Sequence, residues 1–226
     1  MLPFKLKPCV FALVTTLSLA ACKNTPVEQT RSETAPLNII MIVADGMGPA
    51  YTTAYRYYKD DPTTAAIEPT IFDKYKVGAA STSPAEESGY VTDSAAAATA
   101  LASGIKSYNG AIGVDVNKKP VETVLHRAKL LGKNTGVIVT SQVVHATPAS
   151  YIAHNEKRRN YNEIADSFFN DKLNGQFKAD VILGGGQSYF IRDDKNLVEQ
   201  FTEHGFQYVD TYAALASAPI GKPLLG

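Results

Sequence analysis

Beyond residue 22 this sequence has no cysteine. The two it contains are Cys9 and Cys22, so the body of the chain can close no internal disulfide. It has no surplus of charge either: 22 basic side chains meet 22 acidic ones, which removes the electrostatic footprint of a nucleic-acid partner. The apolar run at residues 10–21 is too short to span a bilayer. Histidine is scarce, and His126, His145, His154 and His204 form no cluster with metal-ligand spacing. No internal repeat, low-complexity run or domain boundary interrupts the sequence after residue 36. What is present is a chain of 226 residues, 45% hydrophobic, long enough for one globular domain with a sizeable core.

Lys5 and Lys7 precede the apolar run as a positive n-region, so residues 1–21 read as a secretory leader. The run ends Leu19-Ala20-Ala21-Cys22, which resembles a bacterial lipobox, where the cysteine is lipidated and becomes the mature N-terminus. An ordinary signal peptide cleaved nearby is the alternative. Residues 22–36 are polar, with prolines and threonines, and read as a flexible tether. The folded body is then expected over residues 37–226, outside the cytoplasm and facing the periplasm, with Cys22 as a lipid anchor and no other membrane contact.

That body reads as α/β. Residues 37–44 form a continuous apolar run with β-branched members, the pattern of a strand buried on both faces. Residues 121–131 repeat apolar side chains at helical spacing and stop at Gly132. Residues 135–140 predict a second buried strand. Asn160 is placed to cap a helix through residue 169, with Glu163 at the capping-box position. A third strand at 181–183 runs into Gly184-Gly185-Gly186, and a helix over 197–204 stops before Gly205. Alternating strands and helices imply right-handed crossovers: a mainly parallel central sheet flanked by helices on both faces. Chemistry in such sheets gathers at the carboxyl ends of strands, where Asp45, the His145–Thr147 segment and the glycine triplet fall.

A different segment carries the strongest chemical signal. In Thr92-Asp93-Ser94-Ala95 a serine follows an aspartate and opens a helix of small residues, which Asp93 or Ser94 can cap. At a helix N-terminus, free N–H groups and the dipole favour an anion, so a hydroxyl there can attack phosphorus while the backbone holds phosphoryl oxygens. Read alone, the segment is a capped alanine helix and nothing more. Asp45, at the end of its apolar run, offers a hard oxygen to a metal but is also an Asp-Gly turn. His145 and Thr147 face one side of an extended segment. Arg158 belongs to the basic run Lys157-Arg158-Arg159, ordinarily a solvated face, yet a guanidinium fork suits a phosphate.

Together Val43-Ala44-Asp45-Gly46-Met47-Gly48, Thr92-Asp93-Ser94-Ala95, His145-Ala146-Thr147-Pro148-Ala149 and His154 through Tyr161 resemble the alkaline phosphatase family in residues, order and separation. The resemblance covers essentially all of residues 37–226. It implies hydrolysis of small phosphate monoesters through a phosphoserine at Ser94, with two zinc ions and one magnesium. It implies that Asp45 is a carboxylate shared between a zinc and the magnesium, and that Thr147 is a magnesium ligand. His145 then acts near the magnesium, directly or through water. Arg158 fits the family spacing from Thr147 and Tyr161 better than Arg159 does, with Asp93 orienting it. Homodimers are common in the family, and nothing in this sequence fixes one. His126 and His204 read as structural, and His154 belongs to the motif without a catalytic role.

The sequence stops before the family's remaining zinc ligands. Lys222-Pro223-Leu224-Leu225-Gly226 ends in residues expected to open a strand, so the fold is expected to be incomplete there, a fragment or a truncated product. The competing reading is a truncated, catalytically inactive lipoprotein that at most binds phosphate or a partner. A sulfatase-like or phosphodiesterase-like relative is disfavoured by Asp93-Ser94-Ala95 with Arg158. A nucleotide site at residues 184–186 lacks the full glycine spacing.

Overall fold

A computed structural model describes residues 38–226, so Cys22 and the readings at 1–21 and 22–36 lie outside the described residues. Two compact units divide between Met41 and Ile42. The second unit, residues 42–226, begins with α1 (Pro49–Lys59), α2 (Ile71–Tyr75), α3 (Ser94–Ser103) and α4 (Val124–Leu130). There follow β1 (Gly136–Gln142), α5 (Ala146–Ala149), α6 (Tyr161–Asn170), β2 (Lys172–Leu173), β3 (Gln176–Phe177) and β4 (Val181–Gly185). The last elements are α7 (Gln187–Phe190), α8 (Leu197–Glu203), β5 (Gln207–Tyr208), α9 (Tyr212–Ser217) and β6 (Leu224–Leu225).

Four strands form one sheet in the order β1-β4-β6-β5, and every neighbouring pair is parallel. Val137 lies opposite Ile182, Ile182 opposite Leu225, and Leu225 opposite Tyr208. Helices flank this sheet, as the alternation of elements requires for parallel strands. The short β2–β3 pair is antiparallel and stands apart. Phe168 and Ile164 of α6, Leu197 and Phe201 of α8, and Ile182 of β4 meet in one continuous core, all fully buried.

Three local expectations meet a different outcome. The run at 38–44 carries no strand, and Ile40 and Ile42 are 86% and 87% exposed rather than buried. A strand exists only through its pairing, and this run makes no strand pairing among the described residues. β1 exists as expected, but among the described residues it pairs with β4 alone, and its Ile138 is 74% exposed. Asn160 precedes α6, but its side chain makes no capping bond. Its Nδ2 donates instead to Asn155 Oδ1 at 3.1 Å, so the box with Glu163 does not form.

The glycine triplet has a steric task. A Cβ on Gly184 would approach Val139 Cγ2 to 2.6 Å and Val143 Cγ1 to 2.9 Å, so only glycine lets β4 lie this close to β1. Gly186 then caps α7, a helix of only four residues. Spacing for strand packing, rather than a phosphate cradle, accounts for these glycines.

Candidate active site

Ser94 is the first residue of α3, and Asp93 is its N-cap. Asp93 Oδ1 accepts from the Ala96 N–H at 2.9 Å. The N–H groups of Ser94 and Ala95 precede the first intrahelical acceptor and stay available at the positive end of the helix. α3 can sit deep because its side chains are small: Ala95, Ala96, Ala98 and Ala102 are buried. One polar residue locks it in place. Thr99, fully buried, donates to Ala111 O at 3.0 Å, receives the Gly113 N–H at 3.1 Å, and lies 3.2 Å from Ser150 Oγ just past α5.

Arg158 reaches this corner from the turn before α6. The backbone bridge between Ile112 and Asn155, with both N–H···O bonds under 3.0 Å, fixes that turn, and Arg158 N–H donates to Gly110 O at 2.8 Å. Its Nη1 then donates to Asp93 Oδ2 and to Ser94 Oγ, each at 3.0 Å. Among the described residues its Nε and Nη2 have no acceptor, which leaves one edge of the guanidinium fork for a ligand. Arg159 makes no ion pair there and is exposed. Of the two arginines, Arg158 is the one at the serine.

Asp45 and Thr147 meet separately. Thr147 Oγ1 donates to Asp45 Oδ2 at 3.2 Å. Neighbouring ligands of an octahedral magnesium, each about 2.1 Å from the ion, lie about 3 Å apart, so these two hard oxygens have a spacing one such ion accepts. His145 precedes α5, and its ring stacks on Tyr161 with centroids 5.9 Å apart and planes 7° from parallel. No hydrogen bond joins the Asp45–Thr147 pair to the Ser94–Arg158 pair among the described residues. The tie between them is structural, through Thr99 and Ser150, which fasten α3 to α5. No group of three or more His, Cys, Asp or Glu able to hold a metal occurs among the described residues, so they do not fit a complete zinc site.

The model of the alkaline phosphatase family matches residues 37–226. The chain belongs to the alkaline phosphatase family. It is 51% identical to alkaline phosphatase 3 of Bacillus subtilis over 76% of this chain and 37% of that protein. A cold-active alkaline phosphatase from a psychrophilic Shewanella superposes with a TM-score of 0.70 at 57% identity, covering 78% of this chain and 42% of that one. A histidine variant of the alkaline phosphatase from the Antarctic bacterium TAB5, with magnesium bound in its M3 site, superposes with a TM-score of 0.63 at 30% identity, over 80% of this chain and 49% of that one. The chain thus spans about two-fifths of the curated family member's length.

Asn109 is the site residue that motif reading passes over. Its Oδ1 accepts the Asp93 N–H at 3.0 Å and its Nδ2 donates to Val91 O at 2.8 Å, holding the strand-like approach to α3. Its own N–H donates to Ser88 Oγ at 2.9 Å. The available signal was Asn109-Gly110, a turn dipeptide placed between the serine motif and the arginine motif. Tyr161 entered the motif only as a spacing marker, and the structure makes it the stacking partner of His145.

Proposed function

We propose that this chain carries the nucleophile and the phosphate clamp of a phosphate monoesterase. The observation that supports this most strongly is the pair of 3.0 Å bonds from one Arg158 nitrogen to Asp93 and Ser94 at the N-terminus of α3. Arg158 binds the phosphoryl group through its free edge, and the N–H groups of Ser94 and Ala95 receive its oxygens as charge develops. Ser94 Oγ gives up its proton and bonds to phosphorus, while the bond from phosphorus to the leaving oxygen breaks and that oxygen takes up a proton. Water then bonds to the phosphorus of the phosphoserine, the bond to Ser94 Oγ breaks, and inorganic phosphate leaves with the serine restored. Asp93 keeps the Arg158 fork turned toward Ser94 throughout.

Membership of the family implies two zinc ions and one magnesium. Asp45 and Thr147 fit the magnesium, and His145, two residues before Thr147, takes a place beside it, directly or through water. A divalent cation bound there supplies positive charge that favours an ionised oxygen over its protonated form. The described residues do not fit a complete zinc set, and no step above is routed through zinc. The magnesium in the TAB5 relative is consistent with a magnesium place in this chain. We place the protein on the extracytoplasmic side of the membrane, tethered by lipid on Cys22; no helix among the described residues is long and apolar enough to cross a bilayer.

Phosphate affinity tests the clamp without requiring turnover. Arg158→Ala is expected to weaken binding of inorganic phosphate by roughly tenfold or more, the loss of a charge-assisted bidentate contact, and Arg159→Ala by much less. Equal dissociation constants for the two variants, measured by calorimetry, would sink the assignment of Arg158.

A further inference from the structure

A surface cavity of about 410 Å³ adjoins the serine corner, and the reading above gives it no task. Asn109 and Arg158 both line it, and both also touch the nucleophile segment: Asn109 through the Asp93 N–H, Arg158 through Asp93 Oδ2 and Ser94 Oγ. Two independent side chains therefore make one wall shared by the cavity and the site. The other charged residues of its lining are Lys118, Glu156, Lys157 and Arg159.

The charge there is lopsided. The only acid, Glu156, is already paired with Lys118, Nζ to Oε2 at 2.8 Å. Lys157 and Arg159 have no carboxylate or hydrogen-bonding side chain opposite them among the described residues, so two cations remain uncompensated at the rim. Lys118 is held in the left-handed backbone region, φ 63°, in a turn closed by Asp115, whose Oδ1 accepts the N–H groups of Asn117 and Lys119 at 2.8 Å each. A residue other than glycine in that region costs energy and persists only where its surroundings fix it. The turn thus fixes the lysine that neutralises Glu156, leaving the cavity with a clear positive excess in a chain whose net charge is zero.

We infer that this cavity is a leaving-group subsite for a second phosphate, so that the preferred substrates are organic phosphates carrying a second phosphoryl group. Arg158 holds the phosphate that is transferred. Lys157 and Arg159 hold the one that stays with the leaving group. The volume is within the range of small-molecule sites and holds a sugar-sized body between the two anions. The inference rests on Ser94 and Arg158 being the transfer site.

Binding in the Ser94→Ala background, which removes the nucleophile, separates the two claims. Glucose 1,6-bisphosphate and glucose 6-phosphate are titrated into that protein by calorimetry at low ionic strength. The bisphosphate is expected to bind roughly tenfold more tightly, as two exposed charge contacts allow, with the preference shrinking as salt is added. Adding Lys157→Gln and Arg159→Gln is expected to abolish most of that preference, and Arg159→Glu to reverse it. A bisphosphate preference that survives these changes, or no preference at the outset, overturns the subsite. If the preference depends on Lys157 and Arg159 but Arg158→Ala leaves glucose 6-phosphate affinity untouched, the cavity binds an anion remote from any transfer site. That result defeats the reading at Ser94, and the substrate claim with it.

Discussion

His126 shows how a single buried side chain can set the pH range of the fold. Its Nδ1 accepts the Thr123 N–H at 3.4 Å and its Nε2 faces Ile152 O at 3.3 Å, an arrangement that suits the neutral ring with its proton on Nε2. Burial pushes its pKa down to about 4, and the nearby charges of Lys178 and His154 push the same way, against a smaller opposing pull from Asp171. His154, whose ring lies 5.4 Å away, is also pushed down, first by burial and then by Lys178. A depressed histidine pKa means that the unfolded chain binds the proton first. The stability it contributes is therefore complete above about pH 6.5 and is lost as pH falls toward about 4. The loss is on the order of 3 kcal/mol, read as a falling thermal midpoint across that window. His126→Gln is expected to flatten the fall; an equally steep fall in the variant would remove His126 as its cause.

At the level of elements, local signals were legible in the sequence and distant ones were not. The Asp93 cap, the end of α4 before Gly132 and the end of α8 before Gly205 follow from side chains within a few residues of each other, and the structure has all three. The burial of β1 and of residues 38–44 depends on which strands lie alongside, and periodicity does not carry that information. Thr99 is a similar case. In sequence it is one small residue in an alanine helix, and only the fold brings Ala111, Gly113 and Ser150 to its hydroxyl. Arg158 was separable from Arg159 only through family spacing, since charge and composition do not distinguish neighbours. The cap of α3 gives a stability test. Asp93→Asn keeps an oxygen for the Ala96 N–H, whereas Asp93→Ala does not, so the alanine variant is expected to be less stable than the asparagine variant by about 1 kcal/mol in urea denaturation. Equal midpoints would mean that Asp93 serves Arg158 alone.

For the whole molecule, Ser94 opens α3 and Thr147 lies in α5, and the Thr99–Ser150 contact fastens these two helices together. The anchor proposed at Cys22 lies fifteen residues before Leu37 in the sequence. Radiolabelled palmitate is expected to enter the wild-type protein in cells and not Cys22→Ser; label that persists in the variant would refute the anchor. The central proposal is phosphoryl transfer through one hydroxyl, that of Ser94, and it leans on the 3.0 Å bond from Arg158 to Ser94 Oγ. The measurement that reaches this hydroxyl most directly is acid-trapped labelling of the magnesium-loaded protein with radiolabelled phosphate, followed by peptide mapping. The expected result is phosphoserine at Ser94 alone, absent from Ser94→Ala. Label elsewhere, label that survives in Ser94→Ala, or no label in the wild type would contradict it and leave a protein that binds phosphate without transferring it.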